Sequence, residues 1–187
     1  MTRKRDPNPI LAIAVDTREQ RPWTWPSDLV HVSPATLPVG DYALLGDPLF
    51  AIERKSLGDF ASSVGRGEGW ANMLDRIDRM NGAGKYKGNP KYPAMLFCPM
   101  IVEATREEMW ERYGDDGRLA AAAQGRGDKI TAQFLAKRAA MLHFLGVPVY
   151  FEGPPHVAAC VAYTFLRQRY RQIEAEANAT EKGQPND

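Results

Sequence analysis

Apolar residues along the chain form continuous runs in some segments and recur at helical spacing in others. Residues 10–15 and 93–102 are almost entirely apolar, which predicts strands buried on both faces. Residues 147–151 predict a shorter strand at a sheet edge. Apolar residues recur every three or four positions within 57–64 and 70–80, as expected of amphipathic helices. Strands that alternate with helices predict an α/β domain in which helices flank a central mixed sheet.

Three further helices are expected downstream. Thr105-Arg-Glu-Glu108 matches a capping box that starts a short helix, and Asp128 can cap a helix from Lys129 to Leu145. A Gly- and Ala-rich connection is expected between them, at residues 114–127. Pro154-Pro155 opens the last helix, whose apolar face is expected at Val157, Cys160, Val161, Phe165 and Leu166. The arginines expected to complement its C-terminal dipole are Arg167, Arg169 and Arg171.

The same pattern divides the chain into one domain and two tails. We expect a flexible N-terminal tail at residues 1–9, a single folded domain at residues 10–173 and a disordered polar tail at residues 174–187.

A hairpin is predicted around the turn residues Gly46-Asp47-Pro48, which apolar β-formers flank on both sides. If these three residues form the loop, Asp41 faces Glu53, with Cβ atoms roughly 4.5–5.5 Å apart. Lys55 follows Glu53 by two residues and therefore shares its face, whereas Arg54 points to the other side.

Two facing carboxylates beside a lysine suit metal-assisted hydrolysis of a phosphodiester. Asp41 and Glu53 offer the oxygen ligands that a divalent cation prefers. The cation polarises the phosphate and lowers the pKa of a bound water, while Lys55 can orient that water or stabilise developing charge. The alternative is an exposed hairpin with ordinary surface charges, and a shift of one residue in register would separate the two acids.

Other acids lie close to this hairpin in the sequence. Asp16 and Glu19 directly follow a buried strand, where α/β folds often place ligands, and a turn with solvated acids is the alternative. Asp59 stands three residues after Ser56, so that it can also complete a helix cap.

Aromatic and basic residues supply candidates for contact with nucleic acid. Trp23 and Trp25 are expected to cover a core edge, although they could also stack on bases. Residues 81–92 form a Gly-rich loop with interleaved lysines and tyrosines, which suits a nucleic-acid backbone, and a merely solvated loop is equally consistent. The candidate DNA-binding residues are Arg66, Lys85, Lys87 and Lys91.

Composition narrows the class of protein. The 187 residues carry a net charge of only +1, so that any phosphate-binding surface must be local. No apolar run is long enough to span a bilayer, and the N-terminal residues lack a secretory apolar segment. Cys98 and Cys160 stand in apolar contexts and are expected to be buried free thiols of a cytoplasmic, reducing compartment.

Three separated blocks of the sequence resemble the nuclease domain of XPF-type structure-specific endonucleases, a variant of the PD-(D/E)XK restriction-endonuclease core. The family signature is Gly-Asp-Tyr followed by Glu-Arg-Lys and an Asp four residues beyond the Lys. It is matched at Gly40-Asp41-Tyr42, Glu53-Arg54-Lys55 and Asp59, with the upstream acids and arginine at Asp16, Arg18 and Glu19. The resemblance covers roughly residues 10–172.

The resemblance implies a restriction-endonuclease-like fold and an endonuclease that depends on Mg²⁺, for which Mn²⁺ can substitute. It implies that Asp41 and Glu53 are metal ligands, that Asp16 is a third acid near the ion and that Lys55 is the catalytic lysine. The residues implied to support the site are Arg18, Glu19, Arg54 and Asp59.

The implied substrate is branched, flap or junction DNA of repair and recombination. Relatives commonly carry a tandem helix-hairpin-helix module that dimerises and binds DNA. We expect a stand-alone nuclease domain without that module, acting as a homodimer or with a partner protein. The alternatives are a catalytically silent DNA-binding module of nuclease fold and another PD-(D/E)XK nuclease such as a junction resolvase.

Overall fold

Six strands and five helices form the part of the chain that the computed structural model describes, residues 9–114 and 130–182. The strands are β1 (Leu11–Asp16), β2 (Val30–Ala35), β3 (Tyr42–Leu44), β4 (Glu53–Ser56), β5 (Met100–Glu103) and β6 (Val149–Phe151). The helices are α1 (Leu57–Val64), α2 (Glu68–Met80), α3 (Arg106–Tyr113), α4 (Ala132–Phe144) and α5 (Pro155–Lys182), and a 3-10 turn covers Gly84–Tyr86.

The strands form two three-stranded sheets that meet at one bridge. The first has the order β2-β1-β3, with β1 parallel to β2 and antiparallel to β3. The second is parallel throughout, with the order β4-β5-β6. An antiparallel bridge between Tyr42 and Ile52 links β3 to the residue before β4. Mixed pairing with helices packed around it confirms the predicted α/β fold class.

The helices contribute to two hydrophobic clusters, and β5 has residues in both. Met100 and Val102 belong to the cluster that includes α1, α2, α3 and α4. Ile101 belongs to the other cluster, which joins β1 and β3 to α5. Because side chains alternate along a strand, both faces of β5 are buried, as its apolar run predicted. The regular strand is nevertheless shorter than residues 93–102, since Phe97 only bridges Phe50.

Several local predictions are confirmed at the helix ends. The side chain of Ser56 caps α1 by accepting from the Asp59 N–H. Thr105 and Glu108 form a complete capping box on α3. Trp23 is buried and stacks on Tyr42 at a ring separation of 4.5 Å, so that it covers a core edge as expected.

Helix α4 begins later than predicted. Thr131 caps it through the Phe134 N–H, and the helix starts at Ala132, not Lys129. Residues 115–129 lie outside the described residues. The connection predicted at 114–127 and the predicted Asp128 cap therefore fall almost entirely outside them, and only the start of α4 is tested.

The last helix corrects three predictions. It continues to Lys182, so the described part of the predicted disordered tail is helical. Residues 174–182 are rich in alanine and glutamate, which favour helix without any buried face. The buried stripe of α5 runs through Ala158, Ala162, Leu166 and Arg169, which leaves Cys160 exposed. Arg169 does not end the helix but pairs with Asp47 at 2.7 Å, both side chains being buried.

No helix within residues 9–114 and 130–182 has both the length and the apolar character that crossing a membrane requires.

Candidate functional site

Gly40 fixes the position of Asp41. Its φ is +79°, and a Cβ atom there would lie 2.7 Å from the Ala51 Cβ and 3.1 Å from the Ile52 carbonyl oxygen. Only glycine meets both conditions without strain. The Asp41 N–H donates to the Ile52 carbonyl at 2.8 Å, and the Asp41 carbonyl accepts from the Asp16 N–H at 2.9 Å. The backbone of Asp41 is thus held between β1 and the residue before β4.

The predicted register brings the two acids together, although the predicted hairpin ladder does not form. Tyr42 bridges Ile52, which is the pairing that a loop at residues 46–48 requires and which sets Asp41 opposite Glu53. Beyond this bridge, however, β3 pairs with β1 and β4 pairs with β5. Asp41 and Glu53 line one cavity, as predicted from the sequence.

Glu53 is the most enclosed acid of the cavity, with 2% of its surface exposed. Its Oε1 lies 3.2 Å from the Lys55 Nζ and also pairs with the Arg76 guanidinium. Its Oε2 is buried and has no hydrogen-bond partner among the described residues. A buried carboxylate oxygen without a partner costs free energy, and a bound cation would remove that cost.

The charge on Glu53 changes the pKa of Asp41. Burial and the nearby Glu53 charge raise the pKa of Asp41 to about 7, against the opposing effects of its hydrogen bond from Arg54 and of Lys55 and Arg76. The Asp41 Oδ2 accepts that bond from the Arg54 N–H at 2.7 Å. Near neutral pH, a proton and a cation therefore compete for the same pair of carboxylates.

Arg54 points away from Glu53 and organises a second set of charges. Its Nε and Nη2 donate to the two carboxylate oxygens of Glu103, both at 2.8 Å, and its Nη1 donates to Glu19 at 3.0 Å. The Trp23 Nε1 donates to Glu103 at 2.7 Å. Burial alone would lower the pKa of Arg54, but its hydrogen bonds to Glu103 and the charges of the two acids raise it. This network fixes the β4 backbone from behind the acid pair.

Asp16 accepts hydrogen bonds from Arg18 and Leu37 instead of facing the acid pair. Its Oδ1 accepts from the Arg18 N–H and Nε at 2.8 and 2.6 Å, and its Oδ2 accepts from the Arg18 Nη2 at 2.9 Å and the Leu37 N–H at 2.8 Å. Although burial opposes the effect, these bonds hold the pKa of Asp16 below its ordinary value. Asp16 is not among the residues that line the cavity. A role as third metal ligand therefore remains a prediction that requires Arg18 to move.

Asp59 also lines the cavity. Its carboxylate accepts from the Ser56 hydroxyl at 2.7 Å, while its N–H donates to that hydroxyl at 3.1 Å. Asp59 thus supports the Ser56 cap of α1 and also lines the cavity, and its role in the site stays a prediction.

The cavity has a volume of about 560 Å³ and a mixed lining. Its acids are Glu19, Asp41, Glu53, Asp59 and Glu103. Its bases are Arg18, Arg21, Arg54, Lys55, Arg76 and Arg79.

The acid pair offers a small donor set for a divalent cation. No cluster of three or more His, Cys, Asp or Glu residues suited to a metal ion is present in the described residues. Mg²⁺ is usually held by one or two carboxylates together with waters and substrate phosphates. Asp41 and the unpaired oxygen of Glu53 match that requirement, so the residues fit the ion.

Two residues that contact the site were not predicted from the sequence, Arg76 and Glu103. The helical pattern places Arg76 only on the polar side of a helix, and nothing in its spacing indicates contact with Glu53, 23 positions away. Glu103 ends a buried strand, as Asp16 does, and that position is the sequence signal that indicates a site residue.

The four predicted DNA-binding residues lie apart from the acid pair, since none of them lines the cavity. Lys85 pairs with Asp75 on α2 at 2.7 Å, and the Tyr86 hydroxyl donates to the same carboxylate at 3.0 Å. The Arg66 guanidinium carbon lies 5.9 Å from the centre of the Phe134 ring. Lys87 and Lys91 are exposed.

Comparison with known proteins identifies the class. The family profile described as "ERCC4 domain" matches residues 15–116. The chain therefore belongs to the ERCC4 domain family and is a nuclease-type domain of the DNA repair class. The sequence matches no curated protein.

Two solved structures share the fold. The structure entitled "XPF from Aeropyrum pernix" is 23% identical, with a TM-score of 0.53 over 84% of this chain and 61% of that one. The structure entitled "XPF from Aeropyrum pernix, complex with DNA" is 24% identical, with a TM-score of 0.53 over 87% of this chain and 66% of that one. The chain thus spans less than two thirds of either solved chain. The predicted resemblance to XPF-type nuclease domains is confirmed.

Proposed function

We propose that this domain is a divalent-metal-dependent endonuclease that hydrolyses phosphodiester bonds in branched, flap or junction DNA. The observation that carries the proposal is the meeting of Asp41 and Glu53 in one cavity, with the Lys55 Nζ 3.2 Å from Glu53. Membership of the ERCC4 domain family supports the nuclease class, and the neighbour solved in complex with DNA supports the substrate class.

Asp41 and Glu53 would hold the cation, which is Mg²⁺ with Mn²⁺ as its substitute. When bound, the ion supplies Lewis-acid polarisation of the phosphate and a water of lowered pKa. Within the protein, Glu53 fixes the Lys55 ammonium close to the reacting phosphate. Lys55 can then orient the attacking water or stabilise charge on the phosphate oxygens. Arg54, held by Glu103 and Glu19, keeps its N–H on the Asp41 carboxylate and so fixes the separation of the two acids.

Basic side chains of the protein also make the site suitable for binding an anion. Arg76 and Arg79 line the same cavity as the acid pair. Arg76, which pairs with Glu53, would face a substrate phosphate bound in this cavity. Arginine pairs well with phosphate because its planar fork donates two parallel hydrogen bonds.

A panel of flap, fork and junction oligonucleotides incubated with Mg²⁺, Mn²⁺ or EDTA tests the proposal. We expect cutting only with the cation. Asp41→Ala and Glu53→Ala should each lower the rate by about 10²-fold or more, on the scale of removing one group that stabilises the transition state. Asp28→Ala, which removes an exposed acid that does not line the cavity, serves as the matched control. Retained cutting by either site variant contradicts the assignment.

A second function has one observation in its favour. Lys55 and Arg76 already neutralise Glu53 within the chain, as expected of a silent nuclease fold that only binds DNA or recruits a partner. This candidate predicts binding of branched DNA without cutting under any divalent ion. Light scattering of the isolated chain, recorded alongside, distinguishes a homodimer from a chain that needs a partner protein.

A further inference from the structure

A second cavity, of about 320 Å³, lies between α1 and α2 beside the acid pair. Lys55, Arg76 and Arg79 line both cavities, so the two adjoin. Helices α1 and α2 approach closely at its floor, where a Cβ atom on Gly69 would lie 2.3 Å from the Ser62 carbonyl oxygen. The cavity is therefore part of the packed structure and does not depend on a surface loop.

The lining of this second cavity differs in charge from the lining of the first. Its three charged residues are the shared bases, and no carboxylate lines it within the part of the chain that the structure describes. Ser62, Ser63 and Asn72 also line it, and each carries a polar side chain. None of these three side chains has a hydrogen-bond partner among residues 9–114 and 130–180. Lys55 and Arg76 pair with Glu53, and Arg79 lies beside Asp75. Three bases against these two carboxylates leave net positive charge, which together with unused donors is the combination that an oxyanion requires.

Arg79 is prepositioned at the junction of the two cavities. Its Nε lies 3.5 Å from the Asp75 Oδ2, and its guanidinium carbon lies 5.9 Å from the centre of the Tyr86 ring. The Nε is buried but makes no hydrogen bond to any described residue. A guanidinium that neighbours hold in place, yet leave short of acceptors, loses little side-chain entropy on meeting an anion.

We propose that this cavity is a second phosphate subsite, which holds a backbone phosphate of the DNA strand next to the phosphate that is cut. The inference rests on the proposed function for the identity of its ligand. Its volume lies at the lower end of the range for ligand sites, roughly 300–1,000 Å³. Arg79 pairs with the phosphate, and the neutral donors of Ser62, Ser63 and Asn72 complete the subsite. A strand anchored at two phosphates is held in register across Asp41 and Glu53.

The test measures binding alone, so that it does not depend on cutting. A fluorescein-labelled flap oligonucleotide is titrated without divalent cations at several salt concentrations. Arg79→Ala should weaken binding roughly three- to tenfold and should lower the slope of log K against log salt by about 0.7–0.9. Arg171→Ala, which removes an exposed arginine of α5, is the matched control and should match the wild type.

A second pair of variants guards against misfolding. Asn72 is exposed on α2, so substitutions there should fold. Asn72→Asp places a negative charge in the subsite and should weaken binding more than Asn72→Ala does. Equal binding by the two variants, or wild-type binding by Arg79→Ala, would overturn the proposal.

A scan with single neutral methylphosphonates near the flap junction locates the contact. One position should weaken wild-type binding, and Arg79→Ala should no longer respond at that position. Binding without cutting would refute the nuclease activity and leave the subsite intact, whereas undiminished sensitivity of Arg79→Ala at every position would refute the subsite alone. Absence of any DNA binding would overturn both.

Discussion

Gly40→Ala is the substitution whose cost follows most directly from the backbone. Gly40 has a φ of +79°, and the added methyl group would lie 2.7 Å from the Ala51 Cβ and 3.1 Å from the Ile52 carbonyl oxygen. The variant must therefore accept a left-handed conformation and also push apart the segments that carry Asp41 and Glu53.

Three contributions set the magnitude. A non-glycine residue in the left-handed region costs about 1–2 kcal/mol, and overpacking costs about 1–3 kcal/mol. The lower entropy of alanine in the unfolded chain offsets about 0.4–1 kcal/mol. The free energy of unfolding should fall by about 3 kcal/mol, and a domain of this size then loses about 6–12 °C in Tm.

Gly46→Ala is the matched control, because Gly46 has a φ of +87° but no heavy atom of the described residues, apart from its two chain neighbours, lies within 4 Å of the place that an added methyl group would occupy. It retains the backbone strain without the clash, so the expected loss is about 1 kcal/mol. Urea and thermal unfolding followed by circular dichroism would measure both variants. Equal midpoints for the two variants would refute the claim that close packing at Ala51 requires Gly40.

Three further predictions concern charge. Arg169→Ala should lower the free energy of unfolding by about 3–5 kcal/mol in urea denaturation, because it leaves buried Asp47 without its partner; a loss near zero would contradict this. Because the pKa of Asp41 is raised from 3.8 to about 7, the folded chain retains a proton that the unfolded chain releases, and stability falls as pH rises through this window. Asp41→Asn should therefore be more stable than the wild type at about pH 8 without divalent cations, with the gap closing towards about pH 4; a gap independent of pH would count against the shift. Replacing the predicted basic DNA-binding residues by alanine should weaken binding on all sequences alike, and each phosphate interaction removed should lower the salt slope by about 0.7–0.9. An unchanged slope would remove them from the DNA surface. Those residues are Arg66, Lys85, Lys87 and Lys91.

Much of the fold and of the acid pair followed from local pattern. A strand has a side-chain period of two, so Glu53 and Lys55 had to share a face whatever strand β4 paired with. A loop at Gly46-Asp47-Pro48 predicted that Asp41 lies opposite Glu53, and the Tyr42–Ile52 bridge has that register. Helix starts at Ser56 and Thr105 were predictable because capping is a contact between residues three positions apart.

The buried face and the C-terminal end of α5 were predicted less well, because most of the large apolar residues of this helix lie off its buried stripe. Alanine carries little hydrophobic signal, yet Ala158 and Ala162 are buried because α5 packs closely on β5 and β3. Cys160 is exposed for the same reason, since it lies off that stripe. The tail after residue 173 lacks an apolar period, and the helix there rests on intrinsic propensity and on contacts along the helix such as the Gln172–Glu176 hydrogen bond.

The sequence by itself determined the acid pair, its lysine and the backbone that carries them, because each depends on neighbours within a strand, a turn or a helix cap. Only the tertiary structure decided what surrounds that pair. Arg76 on α2 pairs with Glu53 on β4, and Glu103 on β5 accepts from Arg54. Arg169 on α5 pairs with Asp47 of the turn, 122 positions away. These contacts join residues distant in the chain, and no periodicity encodes them, because their partners are chosen by packing.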